Sequence, residues 1–217
     1  HVHGVTTNET VRRSREVSLF DLAVQAGRST AAFAYYWVSE LYSRAPFCPW
    51  TDRIQKNLNG AIEYGSFYYE DHYPDTHLFA EASCYIEAEH PDFVYIHSMN
   101  IDDAGHREGA NSQAYEDAVL RVDQCLARCI PRWRDLGYDV VITSDHGMTE
   151  LCNHGGTTPA DRDVPLFVAS DAISPRVSDA VVRQVDVAPF VAYLLGIPSS
   201  PAMTDGESVL REESVRR

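Results

Sequence analysis

Short apolar runs alternate along the chain with longer segments in which apolar residues recur every three or four positions. The runs predict strands over residues 29–37, 92–99, 139–144 and 164–170. The helical spacing predicts helices over residues 18–27, 75–90, 112–135 and 186–195. The run at 139–144 (DVVITS) is almost unbroken, which is typical of a strand buried on both faces of a parallel sheet. Because strands and helices alternate, the sequence predicts an α/β fold with a mostly parallel central sheet and helices on both faces.

Residues 38–73 do not follow this alternation. The chain has 8 Phe, 3 Trp and 12 Tyr, and 11 of these 23 aromatic residues lie between Tyr35 and Tyr73. We predict an irregular, aromatic-rich segment. It could stack a planar group of a substrate at the rim of a site, or it could be a lid that packs its own rings.

Composition narrows the class of protein. The 217 residues are 44% hydrophobic and 23% charged, which excludes a disordered, collagen-like or coiled-coil chain and predicts one domain over residues 1–217. No apolar run approaches the roughly 18 residues that span a bilayer, so we expect a soluble protein. Asp plus Glu is 32 against 18 for Lys plus Arg, a formal charge of −14. We therefore expect no nucleic-acid or membrane partner, unless bound cations reverse the local field.

The five cysteines are odd in number and scattered, without the paired spacing of a zinc ribbon or a redox motif. Cys125 and Cys129 lie four apart on a predicted helix and could hold a metal, but no other pair of thiols accompanies them. Free thiols favour a reducing compartment, so we expect a cytoplasmic location.

Three polar clusters follow the predicted strands. Residues 100–106 (NIDDAGH) follow the strand at 92–99, residues 143–148 (TSDHGM) end the strand at 139–144, and residues 153–156 (NHGG) come shortly after. In open α/β sheets, ligands bind beyond the carboxyl ends of the strands, so we expect the clusters to converge at one rim.

The residue types in these clusters are those that bind divalent metals. Carboxylate oxygens and imidazole nitrogens suit Zn²⁺, and a catalytic zinc takes three protein ligands, so a larger set predicts two metals. Two such ions can clamp the attacking and leaving oxygens of a phosphoryl group. The alternative is structural. Asp102 and Asp103 could favour a helix start, Asp145 could be a buried strand-end carboxylate bound by backbone amides, and each His could be a turn residue.

The segments 100–109 (NIDDAGHREG), 142–148 (ITSDHGM) and 153–167 (NHGGTTPADRDVPLF) resemble the type I phosphodiesterase/nucleotide pyrophosphatase family of the alkaline phosphatase superfamily. Residues 3–8 (HGVTTN) and 186–201 also fit, so the resemblance covers nearly the whole chain and implies an alkaline-phosphatase-like fold. It implies that Asp102, His106 and His154 hold one zinc ion. It implies a second ion bound by Asp145 and His146. Asp103 lies at a position that the family does not use to bind metal.

The family attacks phosphorus with a Thr or Ser hydroxylate that bridges the metals. It places this nucleophile, and a further Asp on the first strand, upstream of the HGVTTN stretch, which here begins at His3. We therefore expect the first strand and the nucleophile, on the order of 50 residues, to be absent from this chain. No catalytic nucleophile is assigned within it, and we expect the chain alone to be inactive or weakly active. The family pattern gives Thr143 and Ser144 no nucleophilic role.

The resemblance implies a hydrolase of phosphodiesters or nucleotide pyrophosphates that uses two divalent metal ions, zinc in first place and manganese as the alternative. The expected partner is a small phosphate-ester or nucleotide substrate. The same scaffold serves phosphomonoesterases, sulfatases, phosphonate hydrolases and phosphoglycerate mutases, which stay open as alternatives. A further alternative is a non-catalytic, metal-stabilised binding module.

Overall fold

The main sheet has four strands. A computed structural model describes residues 12–203 together with Val5 and Val209. Within this part, the strands are β1 (Thr30–Tyr35), β2 (Ile54–Lys56), β3 (Tyr64–Tyr68) and β4 (Phe93–Ile96), in the order β2-β3-β1-β4. β1 is parallel to both of its neighbours, and β2 is an antiparallel edge strand. The predicted parallel arrangement is thus confirmed in this sheet.

Helices cover both faces of the main sheet. Their bounds are α1 (Leu19–Gln25), α2 (Tyr36–Tyr42), α3 (Pro49–Asp52), α4 (Asp75–Glu89), α5 (Asn100–Glu108), α6 (Gln113–Asp135), α7 (Pro159–Arg162) and α8 (Gln184–Leu194). All six residues of β1 are buried. Ala32 and Ala34 pack with residues of α1 and α8 on one face, and Phe33 packs with residues of α4 on the other. The small alanines let α1 and α8 approach the sheet closely.

Local signals set the helix ends. Ser18 and Asp21 form a capping box at the start of α1, which satisfies two backbone N–H groups that otherwise lack partners. Helix α4 ends where His90 takes the left-handed conformation, with φ of 49°, and Pro91 follows. Both helices therefore lie where the sequence predicts them.

The thiols of α6 are part of the packing. Cys125 and Cys129 are buried against α4, and the Ser83 hydroxyl donates to the sulfur of Cys129 over 3.2 Å. This position supports buried free thiols rather than a metal clip.

The environment predicted for one strand is wrong, although the strand itself is present. β5 (Val140–Thr143) does not join the main sheet in the described residues but pairs antiparallel with β6 (Leu166–Ala169). Its residues are half-buried or exposed, whereas the apolar run predicted burial on both faces. Helix α6 packs under both β4 and β5, and the Tyr138 hydroxyl donates to the Pro91 carbonyl over 2.7 Å. β4 and β5 therefore share one helix without being paired, and β5 has a single strand neighbour in this part of the chain.

The prediction of an irregular segment over residues 38–73 is also wrong in part, because this segment contains α3, β2 and β3 and most of α2. Its rings pack on one another and on nearby helices. Tyr64 stacks on Tyr85 at 3.9 Å between centroids, and Tyr68 stacks on Tyr73 at 5.0 Å. These contacts favour a segment that packs its own core over an open stacking surface. The sequence pattern did not reveal β3, because four of its five residues are buried and buried and exposed positions therefore do not alternate along it.

Helix α5 is new relative to the sequence prediction, which treated residues 100–106 only as a polar cluster. Most of residues 3–8, and the C-terminal residues after Val209, lie outside the described part of the chain. The single-domain boundaries and the absence of a first strand stay predictions.

Candidate metal centre

The polar clusters converge beyond the ends of β4 and β5, as the sequence predicts. Asp102 lies at the middle of the site. Its carboxylate oxygens are 3.6, 3.9 and 3.7 Å from the Nε2 atoms of three imidazoles, those of His106, His146 and His154. Asp145 is connected through His146, with 3.6 Å between Asp145 Oδ2 and His146 Nε2. All five predicted ligands are therefore found in one continuous cluster.

The helical spacing of α5 explains two of these positions. Asp102 and His106 are four residues apart and so lie on the same face of the helix. Asp103 points elsewhere and forms an ion pair with Arg107 over 3.2 Å. The residue before α5, Met99, makes no side-chain capping bond, so neither aspartate is the helix cap. Asp103 has a partner of its own, in agreement with its exclusion from the predicted ligand set.

Two of the imidazoles are oriented by backbone carbonyls. His106 Nδ1 lies 3.0 Å from the Cys152 carbonyl oxygen, and His146 Nδ1 lies 2.8 Å from that of Gly147. A carbonyl accepts a hydrogen bond, so each Nδ1 carries a proton, and in the neutral ring each Nε2 then keeps a free lone pair. This tautomer is the one that a metal-binding histidine needs when Nε2 faces the ion.

The loop at 149–153 holds the Cys152 carbonyl in place. The Thr149 hydroxyl donates to both the backbone and the side-chain oxygen of Asn153, over 2.8 Å each. Cys152 has φ of 59°, a left-handed conformation that costs a non-glycine residue free energy. The same loop contacts the end of α5, since the Ala110 N–H donates to the Thr149 carbonyl over 3.1 Å. The loop thus fixes the ring of His106 relative to its own helix.

His154 lies between the other two histidines. Its ring stacks on that of His146 with 3.6 Å between centroids, and its Nε2 is 3.1 Å from His106 Nε2. Burial lowers the pKa of His154, the neighbouring His146 lowers it further, and the Asp102 carboxylate opposes both. The lowered pKa favours the neutral imidazole, which is the metal-binding form.

A divalent cation fits this donor set. Asp102 Oδ1 is shielded from solvent and has no hydrogen-bond partner in the described structure, although a buried carboxylate oxygen normally has one. Asp102, His146 and His154 each offer one ligand atom, and these atoms lie within 4.8 Å of one another. Ligands at about 2.0–2.2 Å from one divalent ion lie about 3–4 Å apart. Asp102 Oδ1 is within this range of both His146 Nε2, at 3.9 Å, and His154 Nε2, at 3.7 Å.

The compact set differs from the division that the resemblance implies. His146 lies with Asp102 and His154, whereas the resemblance pairs His146 with Asp145. Asp145 accepts the His146 N–H over 3.1 Å, and its side chain is 71% exposed. It is therefore not the buried strand-end carboxylate of the structural alternative. The assignment of the five residues to two ions stays a prediction.

Sequence reasoning missed one residue beside this cluster. His97 directly follows the last residue of β4, and its Nδ1 is buried without a hydrogen-bond partner in the described structure. It lies outside the three polar clusters, but its place near the end of the predicted strand run 92–99 could have indicated it.

Gly147 allows close packing behind the site. Its N–H donates to the Asp161 carbonyl over 2.9 Å, and a Cβ atom at this position would overlap the Ala160 carbonyl oxygen. Gly147→Ala should lower the free energy of unfolding by about 2–3 kcal/mol and weaken zinc binding, because His146 must move with its neighbour. Thermal unfolding and zinc titration measure the two effects.

Gly137→Ala is the control for this substitution. Gly137 has φ of 88° with open space around its Cα, so alanine there adds backbone strain alone. It should cost about 1 kcal/mol and leave zinc affinity unchanged. Equal zinc affinities of the two variants would contradict the role of Gly147.

No helix in the described ranges combines the length and the apolar composition that crossing a bilayer requires.

Comparisons with known proteins find relatives of two kinds. The chain is 36% identical over 123 residues to a 2,3-bisphosphoglycerate-independent phosphoglycerate mutase of Desulforudis audaxviator, covering 55% of this chain and 23% of the mutase. It is 27% identical over 154 residues to the mouse GPI ethanolamine phosphate transferase 3, catalytic subunit, covering 69% of this chain and 14% of that protein. The chain thus spans less than a quarter of the length of either relative.

Among solved structures, a phosphoglycerate mutase of Leishmania mexicana superposes with a TM-score of 0.57 at 15% identity, covering 86% of this chain and 38% of the mutase. This match confirms the alkaline-phosphatase-like α/β fold. The model of the family described as type I phosphodiesterase/nucleotide pyrophosphatase matches residues 3–166, and these residues include all five predicted metal ligands. The chain therefore belongs to the type I phosphodiesterase/nucleotide pyrophosphatase family.

Proposed function

We propose that this protein is part of a metal-dependent hydrolase of phosphodiesters or nucleotide pyrophosphates. The observation that carries the proposal is the cluster around Asp102, in which a buried carboxylate oxygen without a hydrogen bond faces imidazole nitrogens at 3.7 and 3.9 Å. Family membership gives the reaction class. The finer assignment to phosphodiesters rests on the residues of the motifs, which resemble those of the phosphodiesterase family.

We propose that zinc is the metal, with manganese as the alternative. Two such divalent ions would be bound by Asp102, His106, Asp145, His146 and His154. Such ions neutralise the charge of a phosphoryl group and polarise its oxygens. The protein's own part is to present the ligand atoms with their protons removed. The carbonyls of Cys152 and Gly147 favour this for His106 and His146, because each accepts a hydrogen bond from Nδ1–H and so leaves Nε2 as the unprotonated nitrogen of the neutral ring.

The hydroxyl nucleophile of the family is proposed to come from a segment other than the described residues. Close to the cluster, the Ser144 hydroxyl donates to the His146 carbonyl over 2.7 Å, and the Thr149 hydroxyl donates to Asn153. These bonds direct both hydroxyl protons to backbone or amide oxygens rather than toward a base.

The ions would also resolve the conflict between the acidic composition and an anionic substrate. The formal charge of −14 repels phosphate, but two divalent ions add +4 at the point where the phosphate lies. We propose a small phosphate-ester or nucleotide substrate. The cytoplasmic location and the absence of nucleic-acid and membrane partners stay predictions.

The named relatives favour one further candidate, transfer of a phosphoryl-containing group to an alcohol rather than to water. They are described as a mutase and as a transferase. Transfer and hydrolysis need the same metal-bound phosphoryl group and differ in the acceptor.

The test compares bis-p-nitrophenyl phosphate, p-nitrophenyl phosphate and p-nitrophenyl sulfate, each with and without zinc. We expect zinc-dependent binding of the phosphodiester and slow turnover at most, with the diester preferred. Preference for the sulfate or the monoester would support those alternative activities. Zinc binding without affinity for any of the three compounds would support a metal-stabilised binding module.

A further inference from the structure

His97 is held in place by the sheet. Its N–H donates to the Phe33 carbonyl over 2.9 Å, and its carbonyl accepts the Tyr68 hydroxyl over 2.7 Å. Both hydrogen bonds involve backbone atoms of His97. They fix the position of its backbone and leave the ring nitrogens free of these bonds. The side chain leaves the end of β4 at the rim where the metal cluster lies.

The ring of His97 has an unmet hydrogen bond. Its Nδ1 is shielded from solvent and has no partner in the described structure. Leaving a buried polar atom unpaired costs about 1–3 kcal/mol, so such an atom is a candidate to bind water, an ion or a ligand. Asp102 Oδ1 is in the same condition a short distance along the chain. Two unpaired atoms from different elements therefore occur beside one site.

The ring is also within electrostatic reach of the cluster. Burial lowers the pKa of His97, and the Asp145 and Asp102 carboxylates oppose this effect, while His146 adds to it. These three residues belong to the proposed metal centre, so His97, at the end of β4, lies near this centre.

His97 is not part of the compact set. Among the described residues, the group whose ligand atoms lie within 4.8 Å of one another contains Asp102, His146 and His154, and it does not contain His97. A histidine beside the ions that is not one of their ligands can contact a group that the ions hold.

We propose that His97 donates a hydrogen bond to an oxygen of a phosphate group bound at the metal centre. This inference rests on the proposed function. A neutral imidazole has one N–H donor, and a phosphoryl oxygen beside a divalent ion is an acceptor of matching charge. His97 is then a substrate-binding residue that also satisfies its own buried nitrogen.

The experiment compares His97→Leu, which removes the donor, with His97→Asn, whose amide nitrogen replaces Nδ1. His72→Leu at an exposed position is the matched control. Two affinities are measured on each protein, that for Zn²⁺ and that for inorganic phosphate on the zinc-loaded protein. In His97→Leu we expect about a tenfold loss of phosphate affinity with Zn²⁺ affinity unchanged. His97→Asn should recover most of the loss, and His72→Leu should match the wild type.

Two outcomes overturn the proposal. Unchanged phosphate affinity in His97→Leu shows that the ring does not bind phosphate, and a loss of Zn²⁺ affinity shows that His97 is a ligand instead. If His97→Leu does not fold, the imidazole ¹⁵N signals of the wild type decide the matter. They should shift when phosphate is added to the zinc-loaded protein, and no shift contradicts the proposal. A wild-type protein that binds no Zn²⁺ would refute the proposed function itself.

Discussion

Replacing Asp102 by asparagine is expected to lower the Zn²⁺ affinity of the protein by roughly 100-fold or more. Asp102 lies within 4 Å of the Nε2 atoms of His106, His146 and His154, and its Oδ1 is buried without a hydrogen bond in the described structure. An amide has the same shape but no negative charge, so a cation bound there loses its main electrostatic partner. Equilibrium dialysis followed by metal analysis measures the change.

Asp103→Asn is the control for this variant, since it removes one carboxylate from the next position of the same helix. The Asp103 carboxylate pairs with the exposed Arg107 one turn along α5, and an ion pair that is partly open to solvent contributes little to stability. We expect Asp103→Asn to bind Zn²⁺ as the wild type does. Equal losses of affinity in both variants would show that general charge, rather than a ligand at Asp102, controls metal binding.

The second large effect is expected in the pH dependence of stability, at Asp75. This residue begins α4, is 4% exposed, and its N–H donates to the Asn100 side chain over 3.1 Å. Burial raises the pKa of its carboxyl group from 3.8 to about 6, while Arg121, the Asn100 contact and Ser98 oppose the shift only in part. Between pH 3.8 and about 6, the Asp75 carboxyl group therefore carries a proton in the folded protein, whereas it is ionised in the unfolded chain.

It follows that this group's contribution to stability is largest below pH 4 and is lost as the pH rises through about 6. Two pKa units correspond to about 3 kcal/mol. Asp75→Asn should match the wild type near pH 4 and exceed its free energy of unfolding by about 3 kcal/mol at pH 8. Urea unfolding over this pH range measures the difference.

Asp123→Asn, at an exposed position of α6, is the matched control for the loss of one carboxyl group. We expect it to follow the wild type at every pH. A constant difference between Asp75→Asn and the wild type from pH 4 to pH 8 would contradict the raised pKa.

Local signals made the long helices predictable. Helix α4 begins at the predicted residue, and its end is marked by His90 and Pro91. Helix α6 begins one residue after Ser112, whose side chain accepts the Tyr115 N–H as its cap. These features depend on residues within one turn of one another, so a sequence window contains the information.

The environment of β5 was not predictable in the same way. Its apolar run is equally consistent with burial between two helix layers and with a strand that has a single partner. The structure pairs it antiparallel with β6, more than twenty residues later in the chain. The burial of β5 depends on which distant segment of the chain packs beside it, and the apolar run does not specify that segment.

The sequence by itself determined which side chains form the cluster. Asp and His residues after the predicted strands, in the order of the family motifs, identified five candidate ligands, and all five lie in one cluster. Only the tertiary structure decided which of them lie closest, since His146 meets Asp102 and His154 across three separate segments. It also decided that His97 belongs beside them. Spacing along the chain fixes which side chains leave a strand end, but the distance between atoms of different segments is set by how the helices and sheets pack.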